Sequence, residues 1–155
     1  MEPRVPSPRR RIDTIARLSA AGCPVRVMVA PVVPALTDHE LEAILARAAD
    51  AGAIAASWII LRLPLEVAPL FRDWLQTYFP DRAGRVMGRV RDLHGGADYA
   101  ADWGRRLTGE GAFADLLRHR FAIAVKRLRL KVDLPPLRSD LFRPPVRAGD
   151  QLSLF

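Results

Sequence analysis

The nine residues VRVMVAPVV, positions 25–33, decide how this chain folds. Valines recur through a run too short for a buried helix, so it reads as a strand covered on both faces. Pro31 and Pro34 then take the chain out of the sheet, because proline cannot donate to a strand ladder. A second run, SWIILRL at positions 57–63, repeats the pattern and stops at Pro64. Each run follows a helical segment. SPRRRIDTIARLSAAG (7–22) has Ser7 as N-cap, Pro8 at the first helical position and Gly22 as its stop. Ile12, Ile15, Ala16 and Leu18 fall on one side of it. TDHELEAILARAADAG (37–52) opens with Thr37 and Glu40 in capping-box spacing and carries the stripe Leu41, Ile44, Leu45, Ala48. Helix, strand, helix, strand with short links is the pattern of an α/β protein with a parallel sheet under helices. Two strands cannot complete such a sheet, so the α/β part is short of strands on its N-terminal side.

The 155 residues suffice for one domain with a core, and half of them are apolar. No apolar run is long enough to cross a bilayer, and Met1–Arg11 is polar and Pro-rich rather than a signal peptide. The expected location is cytoplasmic, with no membrane partner. One cysteine, Cys23, excludes an internal disulfide or a multi-cysteine metal site built by this chain alone. His39, His94 and His119 lack zinc-ligand spacing. Charge is unevenly placed: residues 81–155 carry fifteen Lys or Arg against nine acids, residues 1–80 nine against eight. A basic half points to a polyanion, nucleic acid first, although an Arg-biased composition would also make surface helices basic.

The second half is helical. EVAPLFRDWLQTYF (66–79) offers a broad face of Val67, Leu70, Phe71, Trp74, Leu75 and Tyr78. DRAGRVMGRVRDLHGG (81–96) turns Val86, Val90 and Leu93 inward. ADYAADWGRRLTGEG (97–111) is Gly-punctuated and reads as a loop. AFADLLRHRFAIAVKRLRL (112–130) spaces Phe113, Leu116, Leu117, Phe121, Ala124, Val125 and Leu128 for a helix. After Asp133 the prolines 135, 136, 144 and 145 mark an extended tail.

Four segments carry a family resemblance: EPRVPSPRRRIDTIARLSAAGCPVRVMVAPVVPALTDHELEAIL, ILRLPLEVAPLFRDWL, GADYAADWGRRLTGEG and LFRPP followed by QLSLF. They resemble, in order, the bacterial radical SAM proteins similar to spore photoproduct lyase or DNA repair photolyase. The resemblance implies the C-terminal half of a partial TIM-type barrel of parallel βα units over residues 1–80. A helical extension over 81–132 and a Pro-rich tail over 133–155 would follow. It implies S-adenosylmethionine and a 4Fe-4S cluster as cofactors of the complete enzyme. The cluster is held there by a CxxxCxxC loop, since soft thiolates suit such iron. This sequence has no such loop, so the chain is not expected to cleave S-adenosylmethionine alone. Cys23, in the turn AAGCPV, is expected to be a small, partly buried thiol. Met1 then reads as an internal methionine or a fragment start, with the missing N-terminal barrel half as a partner; a split enzyme is the alternative.

Barrels of this kind bind ligands at the C-terminal ends of their strands. The resemblance therefore assigns Ala30, Pro31 and Val32 after the first strand, and Arg62 and Leu63 after the second, to S-adenosylmethionine. Pro31 and Pro64 equally well serve to end strands. Glu2 and Arg4 occupy the mouth of the preceding strand and suit a polar cofactor or substrate phosphate. Arg62, set between two leucines, needs a substrate phosphate, a carboxylate or an internal ion pair. Asp38 and His39 stand near the mouth, where capping also accounts for Asp38. Arg105 and Arg106, with the helix Arg118–Lys131, are the candidates for DNA contact. No catalytic residue is assigned.

The chain closes on Gln151, Leu152, Ser153, Leu154 and Phe155. QLSLF resembles the consensus peptide by which bacterial repair and replication proteins bind the sliding clamp. Leu152, Leu154 and Phe155 supply apolar anchors and Gln151 a rim hydrogen bond; a tail folding back on its own domain is the alternative. Two function classes follow: the C-terminal portion of a radical SAM enzyme such as a DNA-repair lyase, or a non-catalytic, clamp-tethered DNA-binding module.

Overall fold

A computed structural model of the chain describes residues 4–140 and 142–145. The elements run α1 (Pro8–Ala20), β1 (Arg26–Val32), a 3-10 turn (Asp38–Glu40), α2 (Leu41–Asp50), β2 (Ala55–Ile60), α3 (Val67–Tyr78), α4 (Pro80–Leu93), α5 (Arg105–Thr108) and α6 (Gly111–Arg127). The protein is α/β: β1 and β2 pair in parallel, and the helices surround them unevenly. Among the described residues no helix is long and apolar enough to cross a membrane.

The register sets Met28 opposite Ser57 and Val29 opposite Trp58, with an irregularity between Val29 and Val32. The Ala30–Pro31 peptide bond inside that irregularity is cis. Side chains alternate across a strand. Val27 and Val29 therefore share one face with Ala56, Trp58 and Ile60, and that face packs on Leu41, Leu45 and Ala48 of α2 and Leu117, Phe121 and Ala124 of α6. The Trp58 and Phe121 rings sit 6.2 Å apart. Across the top, Arg120 of α6 makes two 2.7 Å bonds to the Glu42 carboxylate and a 2.8 Å bond to the Asp38 carbonyl. Those hydrogen bonds hold the Glu42 carboxyl below its usual range and lock α6 to α2.

The opposite face differs from the sequence expectation. Met28 is 55% exposed and Ala30 is exposed, so β1 is covered on one side only. The two edges differ too. On the far side of β2 the chain returns after α6, and Lys131 bridges: its carbonyl takes the Ala56 N–H at 2.8 Å and its N–H reaches the Ile54 carbonyl at 2.9 Å. Arg26 then holds the departing chain through the Val132 carbonyl at 2.7 Å. No described strand pairs with the outer edge of β1. The Val25 carbonyl accepts the Ile54 N–H, so alternation turns the backbone groups of Arg26 and Met28 toward that free edge.

Beyond the strand ends, Val33, Leu36, Leu61 and Leu63 form a second cluster with Ala68, Phe71 and Leu75 of α3 and Ala83, Val86, Met87 and Val90 of α4. Val86, Val90 and Leu93 are buried as their spacing indicates. The apolar face of α3 is narrower than expected, because Val67, Leu70 and Tyr78 face water. In α6 Leu116 is likewise exposed, and the helix stops at Arg127 because Arg129 adopts a positive φ of 55°. Ser7 caps α1 as expected, accepting from the Arg10 N–H at 3.4 Å. Thr37 does not cap α2; its hydroxyl accepts the Val33 N–H at 3.0 Å, and the helix begins only at Leu41. Cys23 is exposed rather than partly buried, as are its turn neighbours Ala21, Gly22 and Pro24. Segment 97–111 is not all loop but contains α5. Helix α1 buries no residue fully; Ile12 and Ile15 are half-covered and Leu18 is exposed.

Candidate functional site

Two places at or beside the strand ends concentrate polar or accessible groups. The first is a groove of about 920 Å³ between α1 and the free edge of β1. Ile12 and Ile15 of α1, Met28, Ala30 and Pro31 of β1, and Ile44 of α2 give it apolar walls. Arg9, Arg11, Glu40 and Arg47 supply charge at its rim. Ala30 and Pro31 thus stand where a ligand can reach them.

The second is a polar cluster at the end of β2. Leu61 and Leu63 are buried, and Arg62 between them lies half-buried against Tyr99. One Arg62 terminal nitrogen donates to the Tyr99 hydroxyl at 3.2 Å, while its Nε is buried with no partner among the described residues. Tyr99 also leans on the His94 ring, 6.0 Å between centres. His94 is 4% exposed at the end of α4. Its Nε2 lies 3.3 Å from the Leu61 carbonyl, and its Nδ1 is buried without a partner. A carbonyl only accepts, so Nε2 carries the proton and Nδ1 is bare. Burial pushes the His94 pKa down, which keeps the ring neutral.

The loop bearing Tyr99 is pinned at both ends. Asp98 pairs with Arg91 of α4 at 2.8 Å and with Arg72 of α3. Arg105 bonds Asp102 and Glu110, each at 2.7 Å. Gly109 has φ +70°, and a Cβ there would come within 2.9 Å of Leu93, so only glycine lets α5 close onto the core. Of this cluster, the Arg62 guanidinium and the Tyr99 hydroxyl have donors suited to an anionic or polar group, whereas the free Nδ1 of His94 can only accept.

The expected ligand residues separate into different roles. Val32, 2% exposed, lines the groove with Ala30 and Pro31 but is otherwise a core side chain, and Leu63, 1% exposed, is a core side chain away from it. Arg62 and Leu63 do not line the groove that Ala30 and Pro31 do. Arg4 is exposed, with φ 74°, and Glu2 lies outside the described residues. Arg105 is already neutralised by two carboxylates, whereas Arg106 lies over the Trp103 ring at 3.7 Å. On α6, Arg118 is tied to Asp115 and Arg120 to Glu42, while Lys126, Arg127 and, just past the helix, Arg129 carry no ion pair among the described residues. The Asp38 carboxylate pairs with Arg120 at 3.5 Å, and neither the 3-10 turn nor α2 has a side-chain cap bond, so an ion pair rather than capping engages that residue. Gln151, Leu152, Ser153, Leu154 and Phe155 lie outside the described residues.

Sequence reading missed His94, Asp98, Tyr99 and Trp103. The aromatic pair within a Gly-punctuated loop was a readable signal; the partners of His94 and Asp98 are set by tertiary packing. A 4Fe-4S cluster does not fit this chain's donors. The sequence holds one cysteine, and among the described residues no three His, Cys, Asp or Glu side chains converge.

No family model matches the chain, and no solved structure does. Uncharacterized proteins of Mycobacterium bovis and Mycobacterium tuberculosis are similar to it, 30% identical over 138 residues that make up 88% of this chain. The chain spans 37% of the length of each of these relatives.

His94 gives a pH test. Its folded pKa lies below the unfolded value of about 6.5, so the unfolded chain binds the extra proton. Stability attributable to it is intact above about pH 6.5 and falls as pH drops toward the folded value. Urea denaturation between about pH 7 and 5 should show a steeper loss for the wild type than for His94→Gln; parallel curves would mean that His94 titrates as in water.

Proposed function

We propose that this chain is the C-terminal portion of a radical SAM enzyme that acts on DNA, its two strands being staves of a larger partial barrel. The observation that carries the reading is that, among the described residues, no strand pairs with the outer edge of β1, and α1 beside it buries no residue fully. The bare strand face bearing Met28 and Ala30 fits the inward face of such a barrel. The relatives' greater length is in keeping with this. Within that reading Ala30 and Pro31 meet S-adenosylmethionine, and Arg62 with Tyr99 meets an anionic part of cofactor or substrate. Because the donors for a cluster are lacking here, no cluster step is assigned to these residues.

The full-length Mycobacterium tuberculosis relative tests this. Purified without oxygen and supplied with iron and sulfide, it should turn brown and hold iron, while the present chain treated alike stays colourless. A relative that binds no iron ends the radical SAM reading.

A second reading, a clamp-tethered DNA-binding module, rests on the tail. Residues 135–140 and 142–145 are exposed, with Leu137 and Phe142 uncovered. A segment that leaves the domain in this way suits a peptide offered to a partner's groove. Two leucines and a phenylalanine contribute about 1.5–3 kcal/mol each before ordering costs. Immobilised sliding clamp should retain the intact chain and release one lacking Gln151–Phe155; equal retention of both would refute clamp binding by the pentapeptide.

A further inference from the structure

Trp103 is 84% exposed, the least covered tryptophan of the chain, on a segment that is otherwise tightly pinned. An isolated exposed apolar residue carries no message. This one is prepared. The Arg106 guanidinium lies 3.7 Å from the centre of its ring, well within cation–π range. Gly104, at φ 94°, makes the turn that lets the two side chains meet. Arg105 fixes the span by bonding Asp102 on one side and Glu110 on the other. Arg106 has no carboxylate partner among the described residues, and its Nε is buried without a hydrogen bond. The result is a rigid indole backed by an uncompensated cation, with most of its surface open to water.

We infer that Trp103 and Arg106 form a stacking platform for an unpaired nucleobase of single-stranded or locally opened nucleic acid. Every base presents a π-face to such a ring, and the guanidinium beside it meets the phosphate that accompanies the base. A dry protein surface is the poorer occupant, because covering Arg106 without an anion would strand a buried charge. The surplus of positive charge in residues 81–155 favours the same choice. Because the indole is already held by its cation and its turn, little ordering cost opposes binding. The inference rests on the DNA-directed part of the proposed function and is independent of the cluster.

Binding of a fluorescent oligothymidylate, and of an abasic strand of equal length, to the 155-residue chain decides the matter. The wild type should prefer the thymidylate about tenfold or more, and Trp103→Ala should bind it no better than the abasic strand. Trp103→Phe should keep most of the preference, which separates stacking from misfolding. Arg106→Gln should weaken both ligands and flatten the salt dependence by about one phosphate contact. Thymidylate binding unchanged in Trp103→Ala would overturn the platform and leave DNA binding standing. Equal wild-type affinity for the two strands would also overturn it. If the wild type binds neither, the platform and the DNA-directed reading fall together.

Discussion

Everything in this molecule is organised by the parallel pairing of β1 with β2 and by the fact that only one of their faces is clad. Val27, Val29, Ala56, Trp58 and Ile60 bury themselves on α2 and α6, and that contact supplies most of the larger core cluster. Arg120 ties the two covering helices together, and Lys131 closes the far edge of β2. On the remaining side nothing described repeats these devices. Exposed edges with unpaired backbone groups are usually shortened, charged or covered; here Met28 and Ala30 stand open, and α1 buries no residue fully.

The same asymmetry divides the functional surface. The closed side carries a rigid polar cluster, since Arg62, Tyr99 and His94 are fixed by Leu61 and by a loop bonded to α3 and α4. The open side carries a groove walled by strand and helix surfaces. Ala30 and Pro31 belong to the open side and Arg62 to the closed one, so a ligand touching both would have to span the strand ends. The basic second half adds a third surface in which Arg105 is structural and Arg106 is not.

The α/β class, the two strands and their helices were legible because valine runs, caps and apolar spacing are local signals. Ser7 caps α1, and Val86, Val90 and Leu93 turn inward, as their spacing indicates. The start of α2 was misread because the Thr37 hydroxyl has a nearer use on Val33, a bond that sequence spacing does not reveal. The width of the α3 face was overestimated, since Leu70 and Tyr78 share a helical side with core residues but remain exposed. Of the site, Arg62 was readable from its leucine neighbours. The roles of His94 and Asp98 were not, because their partners come from tertiary packing many residues away.

Amide exchange measured residue by residue on the isolated chain addresses the free edge of β1 most directly. The amides of Ala56 and Leu61, bonded to Lys131 and Val32, should be protected, while those of Arg26 and Met28 exchange like loop amides. Protection at Arg26 and Met28 equal to that at Ala56 would mean that the edge is already satisfied and would contradict the reading of β1 as a stave in need of a neighbour.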